Sequence, residues 1–225
     1  MKHPSRPSSK TRFLAAAGVA AVVVALTGAL AAGQPGTEQN APEQGSIHAV
    51  AEQMAAQQAD DRAELNADLA AAGEEAHAHI AHVLQEFASA VPVEGTGNSN
   101  PAGLDEVNAW HSELALATSA LETVEDGTSD QTVVRESFIG AAQLLHAATD
   151  GYKQLLTVHP GEREALTATV GAQRDAAVRL WQAGAAQLDT LTVGSGGGHV
   201  HLFLAPDGDP DAVPLEFREP EGHGS

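Results

Sequence analysis

Three histidines fall within six residues of the stretch GEEAHAHIAHVLQEF, Gly73 to Phe87. At about 100° per helical residue, Glu75, His79, His82 and Glu86 share a sector of about 60°. The apolar residues from Leu69 to Phe87 centre about 90° away, so these four form a polar stripe beside the core. His77 falls outside the stripe and points to solvent. Two imidazoles at i and i+3, with carboxylates one turn above and below, suit Zn²⁺, Cu²⁺ or Ni²⁺. The same stripe is equally satisfied as two i,i+4 pairs on a wet flank, Glu75–His79 and His82–Glu86. A tetrahedral site usually draws ligands from more than one element, so the stripe is at most half of one.

A second pair is His199-x-His201 in HVHLFLA. On a strand both imidazoles share one face, leaving Val200, Leu202 and Leu204 on the other. The metal ligands expected from sequence are therefore Glu75, His79, His82, Glu86, His199 and His201. Asp207, Asp209 and Asp211 alternate as in a calcium loop, but Ala212 and Arg218 stand where such a loop needs glycine and glutamate. Glu74-x-x-His77 fits one half of a carboxylate-bridged di-iron motif; Asn108 before His111 and Gln143 before His146 rule out a second copy. His111, beside Trp110, reads as a boundary histidine with one ring nitrogen in water, His146 as a surface residue, and His159 as a helix cap. No G-x-S-x-G, H-E-x-x-H, P-loop or strand-borne G-x-G-x-x-G occurs, and the expectation is a protein that is not an enzyme.

The elements that carry these residues are helical. From about Ser46 to about Ala90, Leu65, Leu69, Ala72, Ala76, Ile80, Val83 and Phe87 recur at steps of three and four. A second helix, capped near Asn100-Pro101, carries Val107, Trp110, Leu114, Ala117, Leu121 and Val124. After EDGTSD, with Ser129 or Asp130 as cap, Val134, Phe138, Ala141, Leu145, Ala148, Tyr152 and Leu155 alternate four-three. From Pro160 a fourth helix carries Leu166, Val170, Ala177, Trp181, Gly184, Leu188 and Leu191. Short turns between amphipathic helices predict an all-α, antiparallel four-helix bundle over 46–193. A three-helix bundle with a projecting first helix is the alternative. GSGGG, 194–198, reads as a linker. Residues 199–225 read as a small β-hairpin and tail, with PDGDPDA at the turn.

The N-terminus sets the address. Lys2, Arg6, Lys10 and Arg12 precede twenty uncharged residues, Phe13 to Ala32, ending in an Ala29-Leu30-Ala31 cleavage pattern. Residues 1–32 read as a signal peptide or an uncleaved membrane anchor, and 33–45 as a flexible tether. Either way the bulk of the chain is expected outside the cytoplasm, touching membrane only through 13–32. The chain contains 30 acidic and 11 basic residues, a formal net charge of −19, and four of those basic residues lie in the leader. Such a surface repels nucleic acid. Cysteine is absent, so disulfides and thiolate metal sites are excluded. Two functions follow as expectations. One is an exported, non-catalytic module without a cofactor that contacts an unknown envelope or secreted protein, with Leu202, Phe203 and Phe217 exposed for docking. The other is an extracytoplasmic buffer or sensor for Zn, Cu or Ni.

Overall fold

The structure, a computed structural model, describes residues 43–93 and 99–209. The leader of 1–32 and the second hairpin strand expected around Pro214 lie outside the described residues. Four helices form in chain order: α1 Glu43–Ala90, α2 Leu104–Glu122, α3 Ser129–Leu155 and α4 Pro160–Gly194. They pack as an all-α bundle, and no strand occurs among the described residues. No described helix is long and apolar enough to cross a membrane.

Neighbouring helices run in opposite directions. Phe87, late in α1, meets Trp110, early in α2, edge to face at 5.4 Å. Phe138 of α3 stacks on Trp181 of α4 at 4.2 Å. At one end of the bundle Asn66 of α1 donates to the Leu191 carbonyl of α4. At the other, Arg174 of α4 donates to the Val91 carbonyl just past α1, at 2.6 Å. Every core stripe expected for α2 and α3 is buried, as are all stripe residues of α1 and α4 apart from Leu65, Leu166 and Leu191, which are partly covered.

The helix ends differ from expectation by a few residues, for local reasons. Residues 43–45, expected in the tether, already belong to α1. The chain enters α2 at Gly103 rather than Asn100, because Tyr152 Oη accepts the Ala102 N–H at 2.8 Å and Glu106 accepts the Gly103 N–H at 2.6 Å. Thr128 caps α3, and Gln131 reaches back to the Thr128 N–H at 2.9 Å. His159 is the residue before α4 with Pro160 in its first turn, yet its side chain makes no capping bond.

Buried polar side chains fix the register of three helices. Gln131 donates to Asn66 at 2.8 Å and to the Arg62 carbonyl, while Asn66 donates onward to Leu191 and Ser195. Each amide satisfied in this way costs little, whereas a shifted helix would strand several buried donors.

The first strand of the expected C-terminal hairpin is corrected. Residues 199–205 form a strap laid against α1 and α4, not a strand, and the chain then turns, the Gly208 N–H bonding the Ala205 carbonyl at 3.0 Å. Leu202 and Leu204, expected to be exposed or on a sheet face, are buried in the bundle core, and Phe203 is half-buried. Three successive carbonyls are each held by a side chain: Leu202 by the Trp181 indole N–H at 2.6 Å, Phe203 by His77 Nε2 at 2.7 Å, Leu204 by Gln182 at 2.9 Å. An extended chain with no strand beside it has to find such partners for its backbone. His77 is thereby corrected as well. It is half-buried beneath the strap, with its ring 6.1 Å from that of Trp181, rather than pointing to solvent.

Candidate metal centre

The histidines expected to chelate are dispersed by the packing. His79 turns away from its own helix and pairs across to Glu113 of α2. His82 keeps its i,i+4 neighbour Glu86 at 3.7 Å, but the other Glu86 oxygen accepts the Trp110 indole N–H at 2.7 Å. Glu75 lies exposed on the same helix. The helical stripe is thus used to seat α2, two of its members being tied to residues of that helix. On the strap, His199 Nδ1 lies 3.0 Å from Asp189 Oδ1, and the rings of His199 and His201 lie 6.1 Å apart on one side of the chain. Alternation survives without a sheet, because an extended backbone turns successive side chains to opposite sides whether or not it is paired.

A different group converges. Among the described residues, the one set of three potential ligand atoms lying mutually within 4.8 Å is His111, His146 and Asp150. His146 and Asp150 are one turn apart on α3, and His111 reaches them from α2. Their positions follow from the core: Trp110 and Leu114 are buried on α2, Leu145 and Tyr152 on α3, so their polar neighbours meet along the α2–α3 seam. The two imidazoles lie ring on ring, centroids 4.2 Å apart and planes inclined by 17°. His111 Nε2 is 3.5 Å from Asp150 Oδ1, and His146 Nδ1 is 3.3 Å from Asp150 Oδ2.

The two His–Asp spacings are near those around a metal ion, but the stacked rings aim their in-plane lone pairs along nearly parallel lines, so joint ligation requires one imidazole to turn about its side-chain bonds. A tetrahedral ion with bonds of about 2.0–2.1 Å holds its ligand atoms about 3.3 Å apart. His111 Nε2 is buried and makes no hydrogen bond, so it lacks the partner that a buried ring nitrogen normally has. Only this nitrogen is enclosed: the His111 side chain is 19% exposed, which fits a histidine at the core boundary. Burial first, then the neighbouring His146, hold the His111 pKa below the ordinary imidazole value; Asp150 pulls it the other way and Lys153 adds to the depression. A neutral imidazole is the form that ligates metal. A groove of about 380 Å³ between α2 and α3 is lined in part by His146 and Asp150, though not by His111.

Sequence reasoning missed this triad because His111 and Asp150 are 39 positions apart and on different helices. The i,i+4 pair His146–Asp150 was the available signal, and the expected hairpin of the second and third helices was the step that would have brought His111 to it. Comparison with protein-family models, with curated proteins and with solved structures finds no match, so the site is argued from its own geometry.

Proposed function

We propose that this is an extracytoplasmic, non-catalytic helical protein that holds a divalent transition metal, as a buffer or sensor, between α2 and α3. The reading rests on one observation above the others: His111 Nε2, buried and without a hydrogen bond, lies within 4.8 Å of ligand atoms of His146 and Asp150. Two nitrogens and a carboxylate oxygen from two helices make three donors, with a further position open to the groove. Imidazole favours Zn²⁺, Cu²⁺ and Ni²⁺ over Mg²⁺ or Ca²⁺. The basic leader and the apolar segment 13–32 support the address, and the lack of thiols is compatible with an ion that exchanges rather than one locked into the fold.

Calorimetric titration of Zn²⁺, Cu²⁺ and Ni²⁺ into the full chain tests the proposal. One equivalent is expected to bind, with His146→Ala and Asp150→Asn each weakening it at least about tenfold, in line with the loss of a ligand or its orienting partner. His79→Ala/His82→Ala is expected to bind as the parent does. Binding that survives both triad substitutions and vanishes with His79 and His82 would return the site to the α1 stripe.

The other reading, a module that contacts a macromolecule, is favoured by a separate observation on α1.

A further inference from the structure

Among the described residues, the first third of α1 has no helix packed on it, and α3 first reaches it at the Arg62 carbonyl. Every residue from Ile47 to Arg62 is exposed, a run of sixteen residues or about 24 Å of helix. Local support is thin: one His48–Glu52 pair at 3.2 Å and one Arg62 side-chain bond to the Gln58 carbonyl. As a continuation of α1 this segment needs no nucleus of its own, but it gains no tertiary packing from the described residues. One face is apolar. Ile47, Val50 and Met54 are 68%, 55% and 57% exposed, at steps of three and four, which is the spacing of a two-helix seam. The other exposed large apolar residues, Leu104, Leu116, Val133 and Val193, are scattered over the remaining helices.

We infer that this face is where two copies of the chain meet, α1 against α1. Charge selects the occupant. From Ile47 to Ala59 the sequence holds one carboxylate, Glu52, and no lysine or arginine, in a chain of net charge −19. Two such acidic molecules repel one another over most of their surfaces, and this neutral stretch is a place where they can touch. A basic partner would find one carboxylate to pair with. A membrane-surface helix carries lysine and arginine on its polar face, and this one has none before Arg62. Gln53, Gln57 and Gln58 beside the row offer both donors and acceptors, so a twofold axis can satisfy them against their own copies. Ala51 and Ala55, small residues next to the row, let two helix backbones approach closely. The contact is small beside that of permanent dimers, so it dissociates on dilution.

Sedimentation velocity on the full chain in a mild detergent, across a concentration series, tests this. The parent is expected to pass from monomer to dimer as concentration rises. Val50→Glu/Met54→Glu replaces two seam residues with good helix formers that repel across a twofold, and is expected to raise the midpoint about tenfold or more. Leu116→Glu, an exposed apolar residue of α2, is expected to leave the midpoint unchanged. An unchanged thermal midpoint at dilute, monomeric concentration shows that the double variant has kept its bundle. A parent that is monomeric throughout overturns the inference. So does a dimer that Val50→Glu/Met54→Glu leaves intact. A monomer whose residues 47–62 are protected from hydrogen exchange also overturns it, and assigns the cover to the chain's own apolar segment 13–32.

Discussion

His111 of α2 and His146 of α3 lie ring on ring, their planes inclined by 17°, above a carboxylate that both approach within 3.5 Å. Two protonated imidazoles would repel at this separation, so the stack holds best when at least one ring is neutral. Ligation to one ion, with one ring turned out of the stack, would keep both rings unprotonated and supply a partner for His111 Nε2.

Lys153 opposes that ion. It lies close enough to His111 to depress its pKa, and its ammonium repels a dication by the same field. Lys153→Gln is expected to tighten metal binding about two- to fivefold, the range for a single exposed charge. Calorimetry at two salt concentrations checks this, and the gain should shrink at the higher one.

The strap depends on Gly208. Its φ is +72°, and a Cβ there would come 2.5 Å from the Ala81 carbonyl oxygen and the Gln85 nitrogen of α1. Gly208→Ala is expected to lift the turn at the end of the strap, so amides of 199–209 lose hydrogen-exchange protection while those in the middle of α3 keep theirs. Equal protection in both chains would mean that the strap is held without this close approach.

Arg174 closes α1. Its guanidinium is buried, bonds the Val91 carbonyl at 2.6 Å and holds Asp175 at 2.9 Å. Arg174→Met keeps the stem and removes the charged hydrogen bond, for an expected loss of about 2–3 kcal/mol. Urea denaturation measures it.

Asp189 sets a pH dependence. Burial works against its charged form, but the Val200 N–H, the hydrogen bond from His199 and the charges of His199 and His201 outweigh it and hold its pKa below the ordinary carboxylate value. A carboxylate depressed on folding contributes stability above its unfolded pKa, and that stability is lost as pH falls through the folded value. Asp189→Asn is therefore expected to be less stable than the parent at pH 7, with the gap closing below about pH 4. Thermal melts from pH 7 to pH 3 follow it, and a gap that stays open down to pH 3 would contradict the assignment.

The helices were legible because their burial is periodic. Val107, Trp110 and Leu114, or Val134, Phe138 and Ala141, declare their face from sequence alone. The strap was not. HVHLFLA alternates as a strand does, and nothing local in it shows that Trp181, His77 and Gln182 would bond its carbonyls. The triad was hidden for a related reason. Glu75, His79, His82 and Glu86 all lie on α1, and packing α2 beside it drew His79 to Glu113 and Glu86 to Trp110. What converges on one point in a bundle depends on which helices pair and at what height, and periodicity along one helix does not encode that.

Long-range ¹H–¹⁵N correlation of the histidine rings in the full chain, with and without one equivalent of Zn²⁺, tests the central claim most directly. The account predicts that His111 Nε2 and His146 Nδ1 shift together to metal-bound values while His79, His82, His199 and His201 stay where they were. Unmoved resonances for His111 and His146, with shifts at any of the other four, would contradict it.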